Sequence, residues 1–278
     1  MNDPSDSWRL PLPQRRQSSL TLSSASGWLI VALACILILL LLFVPLAGLL
    51  WQAVPGWMSG TWQSPAVVAA LRLSLLTSTL TTLITIIIGT PIAYVLARYQ
   101  FWGVSLLDIL IDLPMVLPPA VAGVALLVTF GRNGVVGQML ADVGIQLPFT
   151  TAAVVLAQIF VAAPFYIRAA KAGFAGVDRH LEQISATLGE SALGTFWRVT
   201  LPLAHNVLIG GAIMTWTRSL GEFGATILFA GNFSGRTQTM PLAIYAALQS
   251  DLNVALTLAA ILLGTSFTLL VLLRIVTR

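Results

Sequence analysis

Arg218 and Glu222 are the two side chains whose types and spacing point most directly to chemistry. They lie four residues apart in an otherwise apolar stretch, so in a helix they would be one turn apart and could form an ion pair. Gly221 and Gly224 flank Glu222 and Phe223, and glycine is a poor helix former. An unpaired charge in apolar surroundings is costly, which favours an ion pair that anchors the end of this helix.

Residues typical of enzymatic or metal chemistry are few. The 278 residues include one cysteine, Cys35, and two histidines, His180 and His205, which are far apart in the sequence. One cysteine excludes an intrachain disulfide and a cysteine-based metal cluster. The motifs G-x-S-x-G and H-E-x-x-H are absent. The sequence therefore predicts neither a catalytic site nor a metal site.

The phosphate-binding loop G-x-x-x-x-G-K-[ST] is also absent. The only lysine is Lys171, and it is followed by Ala172. Without the lysine and hydroxyl that hold the phosphates and Mg²⁺, the chain cannot bind ATP through that loop. If ATP drives this protein, we expect a separate chain to bind ATP and Mg²⁺.

The composition indicates which elements position these residues. Hydrophobic residues make up 57% of the chain and charged residues 9%, and the mean hydropathy is +0.91. Soluble domains carry about 25% charged residues. Lipid is therefore the expected solvent, where helices satisfy their own backbone groups. We predict an all-α membrane protein, with one transmembrane domain over residues 28–278.

Six apolar runs predict six membrane spans. The first is almost wholly apolar and would form about 35 Å of helix, longer than the core of a signal peptide. Residues 1–27 are polar and are expected to be a disordered cytoplasmic tail. The six runs cover residues 28–51, 67–97, 109–130, 150–167, 203–230 and 254–275.

The basic residues predict the orientation of the spans. With the N-terminus inside, ten of the fourteen basic residues lie in inner segments, and only Arg132 and Arg236 lie in outer ones. Both termini are therefore expected to be cytoplasmic, and no nucleic-acid partner is needed to explain the net charge of +4. The ten are Arg9, Arg15, Arg16, Arg98, Arg168, Lys171, Arg179, Arg198, Arg274 and Arg278.

The cytoplasmic loop before span five has the pattern of two short helices. Leu181, Ile184 and Leu188 are spaced i, i+3 and i+7, on one face of a helix that Gly189 would end. A second short helix over residues 196–199 would lead to Pro202 at the start of span five. Such a helix–turn–helix fits the groove of a partner protein or the lipid interface equally well.

This loop resembles the E-A-A-x3-G-x9-I-x-L-P loop of bacterial ABC importer permeases. The E-A-A part is replaced by Gln183, Ile184 and Ser185, and Glu182 lies one place early. In that family the loop is the coupling helix, which docks in a cleft of the ATPase subunit. The resemblance assigns to this contact Leu181, Glu182, Gln183, Ile184, Ser185, Ala186, Gly189, Val199, Leu201 and Pro202.

Residues 111–137 and 221–249 resemble the permeases of molybdate importers, and sulfate and tungstate permeases share parts of them. The resemblance implies the type I fold in a bacterial inner membrane, with two permease copies forming a homodimer. Two cytoplasmic ATPase subunits and a periplasmic oxyanion-binding protein would join them. The alternatives are transport of tungstate, sulfate or thiosulfate, a stand-alone transporter or channel, and a membrane scaffold without transport.

Two groups of residues are expected along the transport path. Backbone N–H groups at a helix broken near Pro118 and Pro119 could hold an oxyanion weakly enough to release it. Glu222, 20 residues after Pro202, would lie about 30 Å along a straight span five. The hypothesis is that Gly221–Gly224, with Arg218, Glu222 and Phe223, forms a hinge near an outward gate.

The remaining charges near the spans are given structural roles. Asp108 and Asp112, one turn apart at the inner end of span three, are expected to be solvated or paired with cytoplasmic arginines. Arg132 and Arg236 are expected to be solvated loop charges, and steering of an anion is the alternative.

Overall fold

The computed structural model describes residues 25–276 of the protein, and this range is helical, without β-strands. Most of the predicted tail, residues 1–24, lies outside the described residues, as do Arg9, Arg15, Arg16 and Arg278. The helices are α1 (Ala25–Met58), α2 (Pro65–Arg98), α3 (Val104–Val116), α4 (Pro119–Phe130), α5 (Val135–Asp142), α6 (Thr151–Ala175), α7 (Arg179–Thr187), α8 (Ala192–Thr195), α9 (Leu201–Leu220), α10 (Gly224–Phe229), α11 (Met240–Ala247) and α12 (Leu252–Val276).

Contacts along the chain divide it into two units, one ending at Gly48 and one beginning at Leu49. In the first unit the described residues form the start of α1, and the side chains of residues 28–48 are exposed. A helix that is apolar on all sides suits lipid as its solvent. The second unit contains the other helices and the buried apolar core.

Within residues 25–276, five helical segments are long and apolar enough to cross a membrane, and a bent pair forms a sixth. The five are Gly27–Met58, Pro65–Arg98, Thr151–Ala175, Ala192–Leu220 and Leu252–Leu272. The sixth consists of α3 and α4, which meet at an angle of 114°. The architecture is therefore the predicted all-α membrane fold of about six spans.

The span predicted over residues 109–130 is broken between α3 and α4, at the place near Pro118 and Pro119 where the sequence analysis expected a break. Leu117 and Pro118 have extended backbones, with ψ near 134° at both residues. A residue that precedes proline is disfavoured in the helical region, and here two such residues follow each other. Single prolines inside helices, Pro91 in α2 and Pro164 in α6, do not end their helices. Two successive prolines therefore break the chain where one does not.

Span five begins earlier and ends earlier than predicted. α8 continues through a π-helical turn, Phe196–Thr200, directly into α9, so there is no separate second helix. Leu201 N–H donates to the carbonyl of Phe196, five residues back. Because the ring of Pro202 removes an N–H and crowds the carbonyl four residues before it, a wider turn lets the helix continue.

The other end of span five is interrupted at Gly221, so the apolar run to residue 230 is not one continuous helix. α9 ends at Leu220, and a new short helix, α10, begins at Gly224. The 20 residues of α9 still extend about 30 Å, so Glu222 lies just past the end of a straight helix of the expected length.

The core of the second unit is formed where α2, α6 and α9 pack together. Small residues allow these helices to approach closely, as is usual between membrane helices. A Cβ at Gly89 of α2 would lie 3.1 Å from Tyr166, and one at Gly211 of α9 would lie 2.7 Å from Ala169. The amide of buried Gln158 is satisfied between the helices, where it bonds Thr77 and Thr81 of α2 at 3.2 and 3.0 Å.

Candidate functional site

Two regions contain the residues singled out from the sequence. The first is the α7–α8 segment, residues 178–200, which connects α6 to α9. The second is the broken-helix junction, residues 117–119 and 218–224, where α3 meets α4 and α9 meets α10.

Residues close in sequence determine where α7 begins and ends. Asp178 caps α7, because its side chain accepts the N–H of His180 at 2.9 Å. The helix ends at Thr187, and Gly189 takes the left-handed conformation with φ of 89°. The N–H of Glu190 then returns to the carbonyl of Ser185 at 3.2 Å, which closes the helix end. The predicted short helix and its glycine stop are therefore present.

The outward face of this segment is apolar. Leu181, Ile184 and Leu188, predicted on one helix face, are 43%, 43% and 83% exposed. Leu193 of α8 and Trp197 of the π turn are exposed as well. Side chains of this kind would normally be buried, so we expect this face to contact something outside the chain.

The inward face of the segment is polar and buried. Ser185 and Thr195 share a hydrogen bond of 2.9 Å, which joins α7 to α8. Glu182 turns toward the spans, where its Oε1 accepts from Arg98 Nη2 and from the hydroxyl of Thr200, both at 2.7 Å. Sequence reasoning grouped Glu182 with the outward residues and missed Arg98 and Thr200. A charged residue at the last position of α2 was the only available signal.

An apolar cavity of about 910 Å³ opens beside the segment. Phe196 and Trp197 line it from the π turn, and Ile87 and Tyr94 line it from α2. Phe196 packs edge-on against Tyr94, with ring centroids 5.0 Å apart, so the π turn lies directly on α2.

The broken-helix junction brings together residues that the sequence placed in separate groups. A Cβ at Gly224 would lie 2.6 Å from the Cβ of Pro119, and one at Gly123 would lie 3.0 Å from the Cα of Ala225. α4 and α10 are therefore in backbone contact, and the break after Leu117 meets the break after Leu220.

The predicted ion pair forms at this junction. Arg218 Nη1 lies 2.8 Å from Glu222 Oε2, with the glutamate side chain 1% exposed and the arginine 30%. The other carboxylate oxygen, Oε1, accepts the N–H of Ala225 at 2.9 Å. Arg218 lies at the C-terminal end of α9 and Glu222 at the N-terminal end of α10, so each charge suits the dipole beside it. Phe223 packs against Tyr245, with ring centroids 5.4 Å apart.

The start of α4 offers few groups to an anion. Pro118 caps the helix and Pro119 is its first residue, and neither has an N–H. Ala122 N–H donates to the carbonyl of Pro118, which leaves the N–H groups of Ala120 and Val121 in the first turn. Both residues are exposed. Weak anion binding at this end of α4 stays a prediction.

The acidic pair of α3 is neutralised by α6. Lys171 Nζ lies 2.6 Å from Asp108, and Arg168 contacts both Asp108 and Asp112. The predicted pairing with arginine is therefore confirmed, and a lysine also takes part. Arg132 is exposed and lines a second cavity, of about 570 Å³, in the loop after α4.

Comparison with known proteins shows which family and which relatives the chain is similar to. A family model described as the binding-protein-dependent transport system inner membrane component matches residues 89–277. The probable transport system permease protein NifC of Clostridium pasteurianum is 39% identical over 251 residues, 90% of this chain and 87% of that protein. The molybdenum transport system permease protein ModB of Mycobacterium tuberculosis is 43% identical over 199 residues, 72% and 75% of the two chains.

A solved bacterial ABC transporter for the import of alginate shares the fold. The match has a TM-score of 0.71 at 18% identity and covers 90% of this chain and 94% of that one. At this identity the likeness shows the fold alone, which is the type I architecture expected from the sequence.

Proposed function

Because the chain belongs to the family of binding-protein-dependent transport system inner membrane components, we propose that it is the permease subunit of an ATP-driven molybdate importer. The observation that carries the choice of anion is its 43% identity to a molybdenum transport permease over 72% of the chain. The several apolar helices agree with a multi-pass protein of the inner membrane.

The α7–α8 segment is the proposed contact with a separate ATPase, which would bind ATP and Mg²⁺. Leu181, Ile184 and Leu188 form a compact apolar surface on a short capped helix, a shape that suits a groove in a partner. The absence of a phosphate-binding loop from the chain supports the assignment of ATP hydrolysis to another subunit.

The broken-helix junction is the proposed gate region. Alternating access requires an element that changes between two arrangements, and two helix breaks in contact are a place where such a change can occur. Pro118 and Pro119 shape one side, and Gly221–Gly224 shapes the other. Opening would have to separate α4 from α10 while the Arg218–Glu222 pair stays satisfied.

A second permease copy and a periplasmic oxyanion-binding protein complete the proposed assembly. The apolar cavity beside Phe196 and Trp197 offers a second copy a concave surface, against which close van der Waals packing would favour a homodimer. Both termini are proposed to be cytoplasmic, because that orientation places the basic residues inside. Arg132 and Arg236 would then face the side from which the anion arrives.

Co-purification from detergent tests the ATPase contact. Leu188→Asp places a charge on the apolar face, and we expect it to weaken binding of the ATPase at least about 30-fold, as for loss of a central apolar contact. Val143→Asp is the matched control, because Val143 is similarly exposed, at 69%, in the loop after α5. Equal recovery of the ATPase with both variants would contradict the proposed contact.

Uptake by proteoliposomes identifies the anion. Radiolabelled molybdate should be taken up only with ATP and the binding protein, and unlabelled tungstate or sulfate in excess would compete according to specificity. Stronger competition by sulfate than by molybdate would assign the chain to sulfate import. Anion movement by the chain alone, without an ATPase, would replace the importer with a stand-alone transporter.

A further inference from the structure

We propose that Glu182 is a positioning residue that transmits movement of the α7–α8 segment to α2 and α9. The proposal rests on the proposed function of this segment as the ATPase contact. It assigns Glu182 to the mechanical connection behind the docking surface, and not to the docking surface itself.

A single carboxylate oxygen joins three parts of the chain. Oε1 of Glu182, in α7, accepts from Arg98 Nη2 at the last residue of α2. The same atom accepts from Thr200, the last residue of the π turn that continues into α9. Arg98 also donates to the carbonyl of Val177 at 3.1 Å, just before α7 begins. Displacement of α7 therefore pulls on the ends of two spans through one side chain.

Burial makes this connection stiff. The side chains of Arg98 and Glu182 are only 7% and 16% exposed, so water cannot readily replace either partner. The second ion pair of the segment, Glu190 with Arg198, has the same N–O separation within 0.1 Å, at 2.8 Å, but its side chains are 28% and 78% exposed. That pair can break and re-form in water at little cost. Glu182 is therefore held firmly to the ends of α2 and α9, whereas Glu190, eight positions later, is held only weakly to Arg198.

The two faces of α7 have different roles: one is exposed and apolar, and the other contacts the spans. Leu181 and Ile184 point outward and are half-exposed, whereas Glu182 lies between them in sequence and turns inward. Ser185 bonds Thr195 and keeps α7 and α8 together as one body. Arg179 provides a weaker connection to α2, through the carbonyl of Arg98 at 3.1 Å. A force on the outward face reaches α9 through the backbone of the π turn, and Glu182 adds the buried side-chain connection that carries it to Arg98 at the end of α2.

The π turn orients the side chain of Thr200 toward Glu182. Extra residues in a helical turn are often found at functional positions, where they redirect a side chain. Here the wider turn directs the hydroxyl of Thr200 to the carboxylate of Glu182, while Phe196 at its start packs on Tyr94 of α2. Both ends of the turn are thus fixed to structures that α7 would move.

The test compares Glu182→Gln with the matched control Glu190→Gln, using complexes with the ATPase that co-purifies with wild type. Proteoliposomes with a molybdate-binding protein give molybdate transported per ATP hydrolysed. We expect Glu182→Gln to keep its ATPase and to lower this ratio about tenfold, because a neutral amide oxygen holds the buried Arg98 much more weakly than a carboxylate does. Glu190→Gln should stay within about twofold of wild type.

A milder pair of variants keeps the proposal testable if Glu182→Gln does not fold. Thr200→Val removes the hydroxyl at nearly constant shape and should lower the molybdate transported per ATP hydrolysed. Thr200→Ser retains the hydroxyl and should keep the wild-type ratio. Equal ratios for Glu182→Gln and Glu190→Gln, or for the two Thr200 variants, would overturn the proposal. Loss of the ATPase from Glu182→Gln would also overturn it, because Glu182 would then act in docking. Failure of wild type to bind any ATPase would instead reject the proposed function.

Discussion

The α7–α8 segment and the broken-helix junction each contain a glutamate–arginine pair and a glycine within one short stretch of chain, but in opposite physical settings. In the segment, Glu190 and Arg198 lie at the surface, and Gly189 is needed for its backbone conformation. In the junction, Glu222 is buried against Arg218, and Gly224 is needed because Pro119 leaves no space for a side chain. One region is open to a partner, and the other is closed on itself.

The two regions therefore differ in what a structural change costs. The junction has its charges paired and its backbones in contact, so moving it requires that satisfied interactions be exchanged for others. The segment exposes Leu188 and Trp197, so its free energy falls only when a partner covers them. In the proposed importer, docking of the ATPase would lower the free energy of the segment, and α9 is the element that joins the segment to the junction.

Removal of the charge of Glu222 gives the largest expected loss of stability. Glu222→Gln leaves Arg218 without its counter-charge, and we expect a loss of roughly 2–4 kcal/mol in the free energy of unfolding. The value lies below that of a fully buried pair because Arg218 is 30% exposed. Thermal unfolding in detergent, followed by fluorescence, measures it. Glu190→Gln is the control and should change stability by less than about 1 kcal/mol.

A double substitution sharpens this prediction. Arg218→Met with Glu222→Met replaces the pair by apolar side chains, and it should be less destabilising than Glu222→Met alone. If all three variants unfolded at the same temperature as wild type, the junction would not depend on the ion pair, and the contrast between the two regions would fail.

Much of the α7–α8 segment could be predicted from the sequence because its signals are local. The apolar spacing of Leu181 and Ile184 and the stop at Gly189 both act within α7 itself. Asp178, the cap that the structure shows, is a local signal of the same kind that was not singled out. The pairing of Arg218 with Glu222 was predictable for the same reason, since the two lie one turn apart.

The contacts that give these elements a function were not predictable in this way. Arg98 and Glu182 are 84 residues apart, and the contact of Pro119 with Gly224 depends on how α4 and α10 fold back. Neither pairing leaves a periodic pattern in a single sequence. A break near Pro118 and Pro119 was expected, but its angle of 114° was not, because single prolines elsewhere, such as Pro164, leave their helices intact.

The two glycines of the junction provide the second prediction. Gly224→Ala places a Cβ 2.6 Å from Pro119, and overpacking of this kind costs about 1–3 kcal/mol. Gly221→Ala is a matched control three residues away, because its nearest atom is the carbonyl oxygen of Thr217 at 3.8 Å and its φ is −86°. We expect Gly224→Ala to lower thermal stability and molybdate uptake, and Gly221→Ala to change stability little.

The variants Gly221→Ala and Gly224→Ala also distinguish an effect on packing from the proposed hinge. If Gly221→Ala left stability unchanged but reduced uptake and molybdate-stimulated ATP hydrolysis, flexibility at residue 221 would be required for transport. Unchanged uptake by both single variants and by the double variant would remove the hinge from the mechanism.

Gly189→Ala carries the smallest expected effect and tests the segment by itself. At φ of 89° a side chain is strained by about 1–2 kcal/mol, although no atom lies within 4 Å of the added Cβ. Gly176→Ala, at the end of α6, is the control, since its φ of −76° suits alanine. Because α7 is bounded by this turn, the strain should appear as faster hydrogen exchange in residues 184–188 and a modest loss of ATPase affinity. The junction should be unaffected, and slower exchange in α7 or an equal effect of both variants would show that Gly189 does not set the end of the helix.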